Sequence, residues 1–310
     1  MAREMMFGTR DEFRYIECGD CGTLQIVKIP DLAKYYPPEY YSLAPAAEGE
    51  VHRGIKRRIA GRFIANYHTK NRSVIGKRLA DGNSWSAILF PEYLKNFPGE
   101  LTRESRILDY GCGSGRTLRI LANFGFRSLV GADAFIEKDI VHPGGVTIYK
   151  KDLKDLEPPF DLIMLHHVFE HLPDPKESLA HIHRLLSDNG TAIIRIPVVN
   201  YAWKKYGINW VQLDPPRHLF IYTDQTFREM SVEAGFDVSK TVYDSEAFQF
   251  YGSEQYVMDI PMNDPLSFRG PSETSIFSAK QLEEWTRKAE HLNSRSLGDQ
   301  MCFYLRKSLD

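Results

Sequence analysis

The sequence predicts a doubly wound α/β domain with a mostly parallel sheet, preceded by an N-terminal extension of different composition. Three observations carry this. From about residue 104 onward, short apolar strands alternate with segments of helical spacing. A glycine-rich turn joins the first of these strands to its helix. An acid, Asp133, ends the next strand, about 20 residues further on.

The composition is that of a soluble globular protein. The chain has 310 residues, 43% hydrophobic and 26% charged. It can bury a large core without staples. Thirty-nine Lys and Arg against 41 Asp and Glu leave a net charge of -2, which argues against nucleic acid as the main partner. No apolar run approaches the ~18 residues needed to span a bilayer, so no transmembrane segment is expected. The N-terminus, Met1-Ala-Arg-Glu-Met-Met, lacks the apolar stretch of a secretory signal. Four Cys in so long a chain form no disulfide framework. Together these point to a cytoplasmic protein.

Residues 1–100 read as the extension. Cys18-Gly-Asp-Cys21-Gly22 looks like half of a zinc knuckle. A closed site needs four ligands, and His52 and His68 are poorly spaced substitutes, so two reduced thiols in a turn are expected and no zinc. Tyr35 to Tyr41 is stiff, aromatic and unsuited to a helix interior. Residues 51–80 hold nine Lys or Arg and no acid. Val51, Ile55, Ile59 and Phe63 recur every four residues, with Ile64 and Tyr67 close to the same face. That period predicts a basic amphipathic helix, suited to a phosphorylated acceptor or to peripheral contact with an anionic membrane.

The second region spans 101–310. Strands are expected at Arg106–Tyr110, Ser128–Ala132, Val146–Tyr149, Asp161–Leu165, Thr191–Ile196, Phe236–Tyr243 and Met301–Arg306. Helices are expected over Thr117–Phe124, Pro175–Leu186 and Asp224–Ala234, with Gly125 and Gly235 as stops and Asn189-Gly190 as a turn.

The turn Leu108-Asp109-Tyr110-Gly111-Cys112-Gly113-Ser114-Gly115 lies where a doubly wound sheet holds a nucleotide. A dinucleotide fingerprint would need a small residue at 116, where Arg116 stands. Asp109 would repel a pyrophosphate and attract an ammonium group. No Gly-Lys-Ser/Thr follows, which removes a P-loop. S-adenosylmethionine has a ribose, an ammonium and a sulfonium, and no phosphate.

Leu108 to Gly115, Gly131-Ala-Asp133, Lys151-Asp-Leu153, Phe160-Asp-Leu-Ile163, His167-Val-Phe-Glu-His-Leu-Pro-Asp-Pro175 and Asn189-Gly190 resemble the successive motifs of class I S-adenosylmethionine-dependent methyltransferases. They are similar in particular to the small-molecule branch found in polysaccharide biosynthesis clusters. The resemblance covers about 100 to 245 and the terminal strand. It implies a Rossmann-like seven-stranded sheet with the last strand antiparallel. It implies S-adenosyl-L-methionine as cofactor, with the Gly111 loop on the methionine part, Asp133 on the ribose and Asp152-Leu153 on the adenine edge. The cofactor set is then Asp109, Gly111, Cys112, Gly113, Gly115, Asp133, Asp152, Leu153 and His166.

The acceptor is expected under two aromatic insertions, at about 197–222 and 244–300. Tyr201, Trp203, Tyr206, Trp210, Phe220, Tyr222, Phe248, Phe250, Tyr251 and Tyr256 would suit a flat, hydroxylated molecule. His167, Glu170 and His171 share one face if a turn starts there, and can supply a base. His218 is the other base candidate, and Arg217 could hold a phosphate or carboxylate. His167 replaces the acid of the quinone branch, so no metal is expected. The implied reaction is methyl transfer to a hydroxyl of a sugar, nucleotide-sugar or glycan. The alternatives are quinone or aromatic O-methylation, and a catalytically silent cofactor-binding module of a polysaccharide assembly.

Overall fold

The computed structural model describes residues 1–37, 55–70, 73–82, 90–95, 97–142, 145–272 and 274–308. The chain opens with β1 (Ala2–Arg3), β2 (Glu12–Phe13), β3 (Tyr15–Glu17) and β4 (Leu24–Ile26). Two helices follow, α1 (Ile55–Lys70) and α2 (Val74–Gly82). Then come β5 (Arg106–Tyr110), α3 (Arg116–Asn123), β6 (Ser128–Ala132), β7 (Ile140–Val141), β8 (Thr147–Tyr149) and β9 (Phe160–His166). The second half runs α4 (Pro175–Leu185), β10 (Leu186–Pro197), α5 (Tyr201–Tyr206), β11 (Phe220–Ile221), α6 (Asp224–Glu233), β12 (Phe236–Tyr243), α7 (Phe248–Val257), α8 (Ala279–Ser294) and β13 (Gln300–Lys307).

The central sheet has the order β12-β13-β10-β9-β5-β6-β8-β7. The strands β10, β9, β5, β6 and β8 run parallel, and β13 is antiparallel to both its neighbours. The seven expected strands are therefore all present, with the last one antiparallel. An eighth, β7, adds a two-residue antiparallel edge to β8. Chain order reverses between β5 and β9, which places the crevice of a doubly wound sheet at their carboxyl ends.

Local chemistry sets the helix starts. Asp174 caps α4 by accepting from the Glu177 amide at 3.0 Å, and Pro175 occupies the first turn. Thr223 caps α6 through the Thr226 amide at 3.1 Å. The expected turn at Asn189-Gly190 is instead an irregularity inside β10. Leu186 pairs with Phe160 and Thr191 with Leu162, so residues 187–190 bulge from the ladder. A Cβ on Gly190 would stand 2.9 Å from the Phe160 carbonyl oxygen, so only glycine fits there.

The basic helix forms, but its four-residue stripe does not face the core. Ile64 and Ala65 are buried, while Ile59 and Phe63 are 47% and 37% exposed. Gly61 lies against Phe124, so the buried face runs through Gly61, Ile64, Ala65 and Thr69. Val51, and the side chain of Ile55, lie outside the described residues, as do Pro38 to Tyr41 and His52.

Two cores cover the faces of the sheet. One contains Leu108, Ile163, Leu179, Ile194, Phe227 and Phe303, and the other Ile64, Ile107, Leu121, Phe124, Met164 and Ile193. A third core joins the first residues to the insertions: Ala2, Met5 and Leu24 pack with Ala202, Trp210, Leu213, Ile221, Phe250 and Leu292. The strand β11 pairs with β4, so residues 24–26 hold the loop that follows β10.

Arg217 sits in this third layer with no exposed surface. Its guanidinium donates to Asp214 Oδ1 at 2.6 Å, to Asp214 Oδ2 at 2.9 Å and to Glu4 Oε1 at 3.0 Å. Glu4 in turn accepts from the amides of Met6, Phe7 and Thr9, each at 3.0 Å. The expected role for Arg217, gripping an anionic ligand, is thus corrected: its charge is consumed inside the protein. Replacing Arg217 with Met would leave two buried carboxylates unpaired and should cost about 3–5 kcal/mol. Urea unfolding checks this; a loss below about 1 kcal/mol would contradict it.

Candidate active site

The carboxyl ends of β5, β6, β8 and β9 open into a cavity of about 540 Å³. Gly111, Asp133, Asp152, Leu153 and His166 of the expected cofactor set line it. Cys112, Gly113, Gly115 and Asp109 build the turn and strand behind the wall and do not line it among the described residues. Asp133 fixes that turn: its Oδ2 accepts from the Gly113 amide and its Oδ1 from the Phe135 amide, both at 2.8 Å. Asp152 accepts from Tyr110 Oη and the Leu153 amide, both at 2.8 Å. Each carboxylate keeps lone pairs for a ligand.

The glycines are required partly for reasons the sequence did not show. Gly111 and Gly115 have φ of 71° and 75°, where a side chain is strained. A Cβ on Gly111 would meet Val168, and one on Gly115 would meet Ile148. Both glycines therefore make room for protein.

The wall is acidic. Asp133, Asp152, Asp174 and Glu177 line it against Lys154. Such a wall favours a ligand with an ammonium and a sulfonium and disfavours a pyrophosphate. His166 adds an unmet demand. It is buried against Tyr93, with ring centroids 3.8 Å apart, and neither ring nitrogen has a hydrogen-bond partner. Burial holds its imidazole well below the usual histidine range. The donor set and the cavity fit S-adenosylmethionine.

The turn after β9 carries the histidines. His167 has φ of 51°, a left-handed backbone uncommon for a non-glycine residue. Its Nε2 lies 2.9 Å from Arg195 Nη1. A guanidinium can only donate, so Nε2 accepts and the ring proton is on Nδ1. Nδ1 donates to Glu170 Oε1 at 3.2 Å. Both nitrogens are thereby engaged, so of the expected base candidates His167 presents no uncommitted nitrogen here. Arg195 is itself anchored on Asp244 Oδ2 at 2.6 Å. His171 Nδ1 lies 2.8 Å from the Arg217 carbonyl, and His218 Nδ1 lies 2.8 Å from the Gln212 carbonyl. Burial and the neighbouring His171 push His218 down to about 4. The histidine pair and Glu170 meet because the Leu219 amide donates to the Glu170 carbonyl at 2.8 Å.

A second chamber adjoins the first. One part, about 160 Å³, is lined by Met6, His167, His171, Val211, Gln212, Asp214, His218, Phe248, Tyr256, Met262 and Gln300. Another part, about 190 Å³, is lined by Arg195, Gln212, Glu246, Phe248, Gln249, Asp299 and Gln300. His167 and His171 also line the first cavity, so they stand at the joint. Among the described residues, few of the expected aromatics roof these cavities. Tyr206, Trp210 and Tyr222 are buried in cores, and no aromatic of 197–222 lines these cavities. Phe248 and Tyr256 do line the chamber. Met6, Arg195, Gln212, Asp214, Gln249, Asp299 and Gln300 line it as well, and no local spacing in the sequence links them.

Residues 86–241 match the methyltransferase domain family. That is just over half of the 310-residue chain, and the protein belongs to this family. It is an S-adenosylmethionine-dependent methyltransferase, and S-adenosyl-L-methionine is its cofactor. Among solved structures it is similar to an S-adenosylmethionine-dependent methyltransferase from Archaeoglobus fulgidus, at 19% identity over 79% of this chain and 99% of that one, with a TM-score of 0.40. It is similar to another from Mesorhizobium loti, at 17% identity over 67% and 94%, with a TM-score of 0.43. A cyclopropane synthase from Mycobacterium tuberculosis is similar at 17% identity over 67% and 79%, with a TM-score of 0.41. No curated protein matches the sequence.

Asp109 generates a pH prediction. Burial, reinforced by the charge of Asp133, pushes its carboxyl from 3.8 up to about 7. The unfolded chain releases this proton first, so the free protein loses stability as pH rises from about 4 to 7. Asp109→Asn should remove that loss, and its advantage should grow across this window to on the order of 2–4 kcal/mol. Urea unfolding of the ligand-free proteins at pH 5 and pH 8 measures it. An advantage independent of pH would refute the assignment.

Proposed function

We propose that the protein methylates a hydroxyl of a hydroxyl-rich small molecule: a sugar, a nucleotide-linked sugar or a glycan. One observation carries this reading. The second chamber contains buried acceptors without partners, Asp299 Oδ1 and Gln249 Oε1, beside Gln212, Gln300 and the Phe248 ring. Carboxylate and amide oxygens of this kind accept from neighbouring hydroxyls, and an aromatic face covers the apolar side of a pyranose. A planar quinone has too few donors to satisfy them. The four free thiols fit a reducing compartment such as the cytoplasm.

S-adenosylmethionine supplies, when bound, a methyl carbon already activated by its sulfonium. This chain's residues then have three tasks. Asp133 would hold the ribose, the Gly111 turn the methionine part, and Asp152 with Leu153 the adenine edge. The chamber aligns the acceptor oxygen, and alignment alone can supply effective molarities of ~10⁵ M or more. The joint where His171 stands meets the proton demand of the acceptor hydroxyl. His166 lines the cofactor cavity, and its two buried, unpartnered nitrogens keep hydrogen-bonding capacity on that wall.

Asp133→Ala should weaken S-adenosylhomocysteine binding by roughly 1.5–3 kcal/mol, the scale of hydrogen bonds to a charged group. Calorimetry on the folded variant reads this, and unchanged affinity would remove Asp133 from the site. The acceptor class is tested with methyl-labelled cofactor and a panel of sugars, nucleotide-sugars, catechols and quinols. Label should enter a hydroxylated sugar. Gln249→Ala should raise KM for it by about 5–30-fold, and His171→Ala should lower kcat by about 10²–10⁴-fold. Transfer confined to aromatic acceptors would sink the sugar reading, and no transfer with tight cofactor binding would favour a silent module.

A further inference from the structure

We propose that Glu170, His171 and His218 form a site for one divalent ion of the zinc class, open toward the acceptor chamber. This assignment departs from the sequence expectation of no metal. It rests on the reading of that chamber as the acceptor's place only for the ion's use, not for its binding.

Their ligand atoms all lie within 4.8 Å of one another. His218 Nε2 is 3.8 Å from Glu170 Oε1 and 3.9 Å from Asp214 Oδ2, too far for hydrogen bonds. Ligands that share an ion at about 2.0–2.2 Å stand a little closer than this, so small side-chain shifts complete the site.

The protonation pattern is that of metal ligands. The Nδ1 atoms of His171 and His218 each face a backbone carbonyl, which can only accept, at 2.8 Å; the Tyr36 hydroxyl, which can also accept, lies 3.2 Å from His171 Nδ1. Each ring therefore carries its proton on Nδ1 and presents the Nε2 lone pair. Hydrogen bonding of the far nitrogen to a carbonyl is how ligating histidines are oriented. Glu170 is held in the same manner, through Oε1 by His167 Nδ1. Its Oε2 is buried and has no partner.

Charge balance points the same way. Glu4, Asp214 and Glu170 are buried carboxylates, and Arg217 is the cation that pairs with the first two. Taken together, these three buried anions and one cation leave an excess of negative charge beside the chamber. An uncompensated buried carboxylate is expensive, and a divalent ion bound by Glu170 removes the excess.

Two imidazoles and one carboxylate, with no thiolate, form a donor set of catalytic zinc sites with an open fourth position. His171 lines both cavities and His218 lines the acceptor chamber, so that position faces an acceptor oxygen. A cation there would lower the affinity of that oxygen for its proton, which would leave to solvent.

The test is calorimetric titration of chelator-stripped protein with Zn²⁺, and of a parallel sample with Co²⁺ followed by visible absorption. One ion per chain is expected. His218→Ala and Glu170→Gln should each weaken binding by at least ~100-fold while retaining S-adenosylhomocysteine binding, which reports an intact fold. The Cys18→Ser, Cys21→Ser double variant should bind as wild type. No binding to wild type overturns the proposal. So does binding that survives Glu170→Gln and His218→Ala, or that disappears with the two cysteines. Binding as expected without transfer to any sugar would leave the site standing and remove the sugar reading. Sugar methylation by a protein that binds no ion would do the reverse.

Discussion

A guanidinium sealed from water must have its charge answered inside the protein, and Arg217 imposes that demand on three distant stretches of chain. Glu4 comes from the first residues, Asp214 from the loop after β10, and the carbonyl of Arg217 meets His171 from the turn after β9. The ion pairs lock the N-terminal segment onto the methyltransferase sheet. They also fix the backbone that carries His218, because Asp214 and Arg217 are its near neighbours in sequence. The third core packs around this arrangement and turns two insertions and a terminal segment into one wall of a chamber.

Within that wall, the histidines divide their work by what their second nitrogen touches. His167 is bound on both sides, by Arg195 and Glu170, and its left-handed backbone keeps it there. It therefore positions Glu170 and closes the joint between the chambers. His171 and His218 spend one nitrogen on a carbonyl and keep the other open. Burial beside His171 lowers His218 to about 4, which makes it a weak base at neutral pH.

The cofactor side is governed by backbone and by carboxylates. Asp133 holds the glycine turn through amides and still faces the cavity, so one residue shapes the site and presents an acceptor to it. Asp109 is charged with difficulty in the free protein, since it is buried beside Asp133. A cationic ligand relieves that cost. The acids in and behind this wall thus favour a cationic cofactor over a phosphate-bearing one.

The sequence by itself determined the sheet, the glycine turn and the acids at the strand ends. These are local signals: alternation of strands and helices, positive-φ glycines, and an acid at a fixed distance along one βαβ unit. It also placed His167, Glu170 and His171 together, because they share one short turn. Tertiary structure decided which of these nitrogens is free, since Arg195 lies 28 residues from His167 in the chain and meets it only across the β10–β9 ladder. It decided that Arg217 is an internal strut, since its partner Glu4 is 213 residues away. It decided that the aromatics of 197–222 build a core while Gln249, Asp299 and Gln300 line the chamber. Residues that converge from separate elements leave no periodic trace in the chain; only the packing that brings them together identifies them.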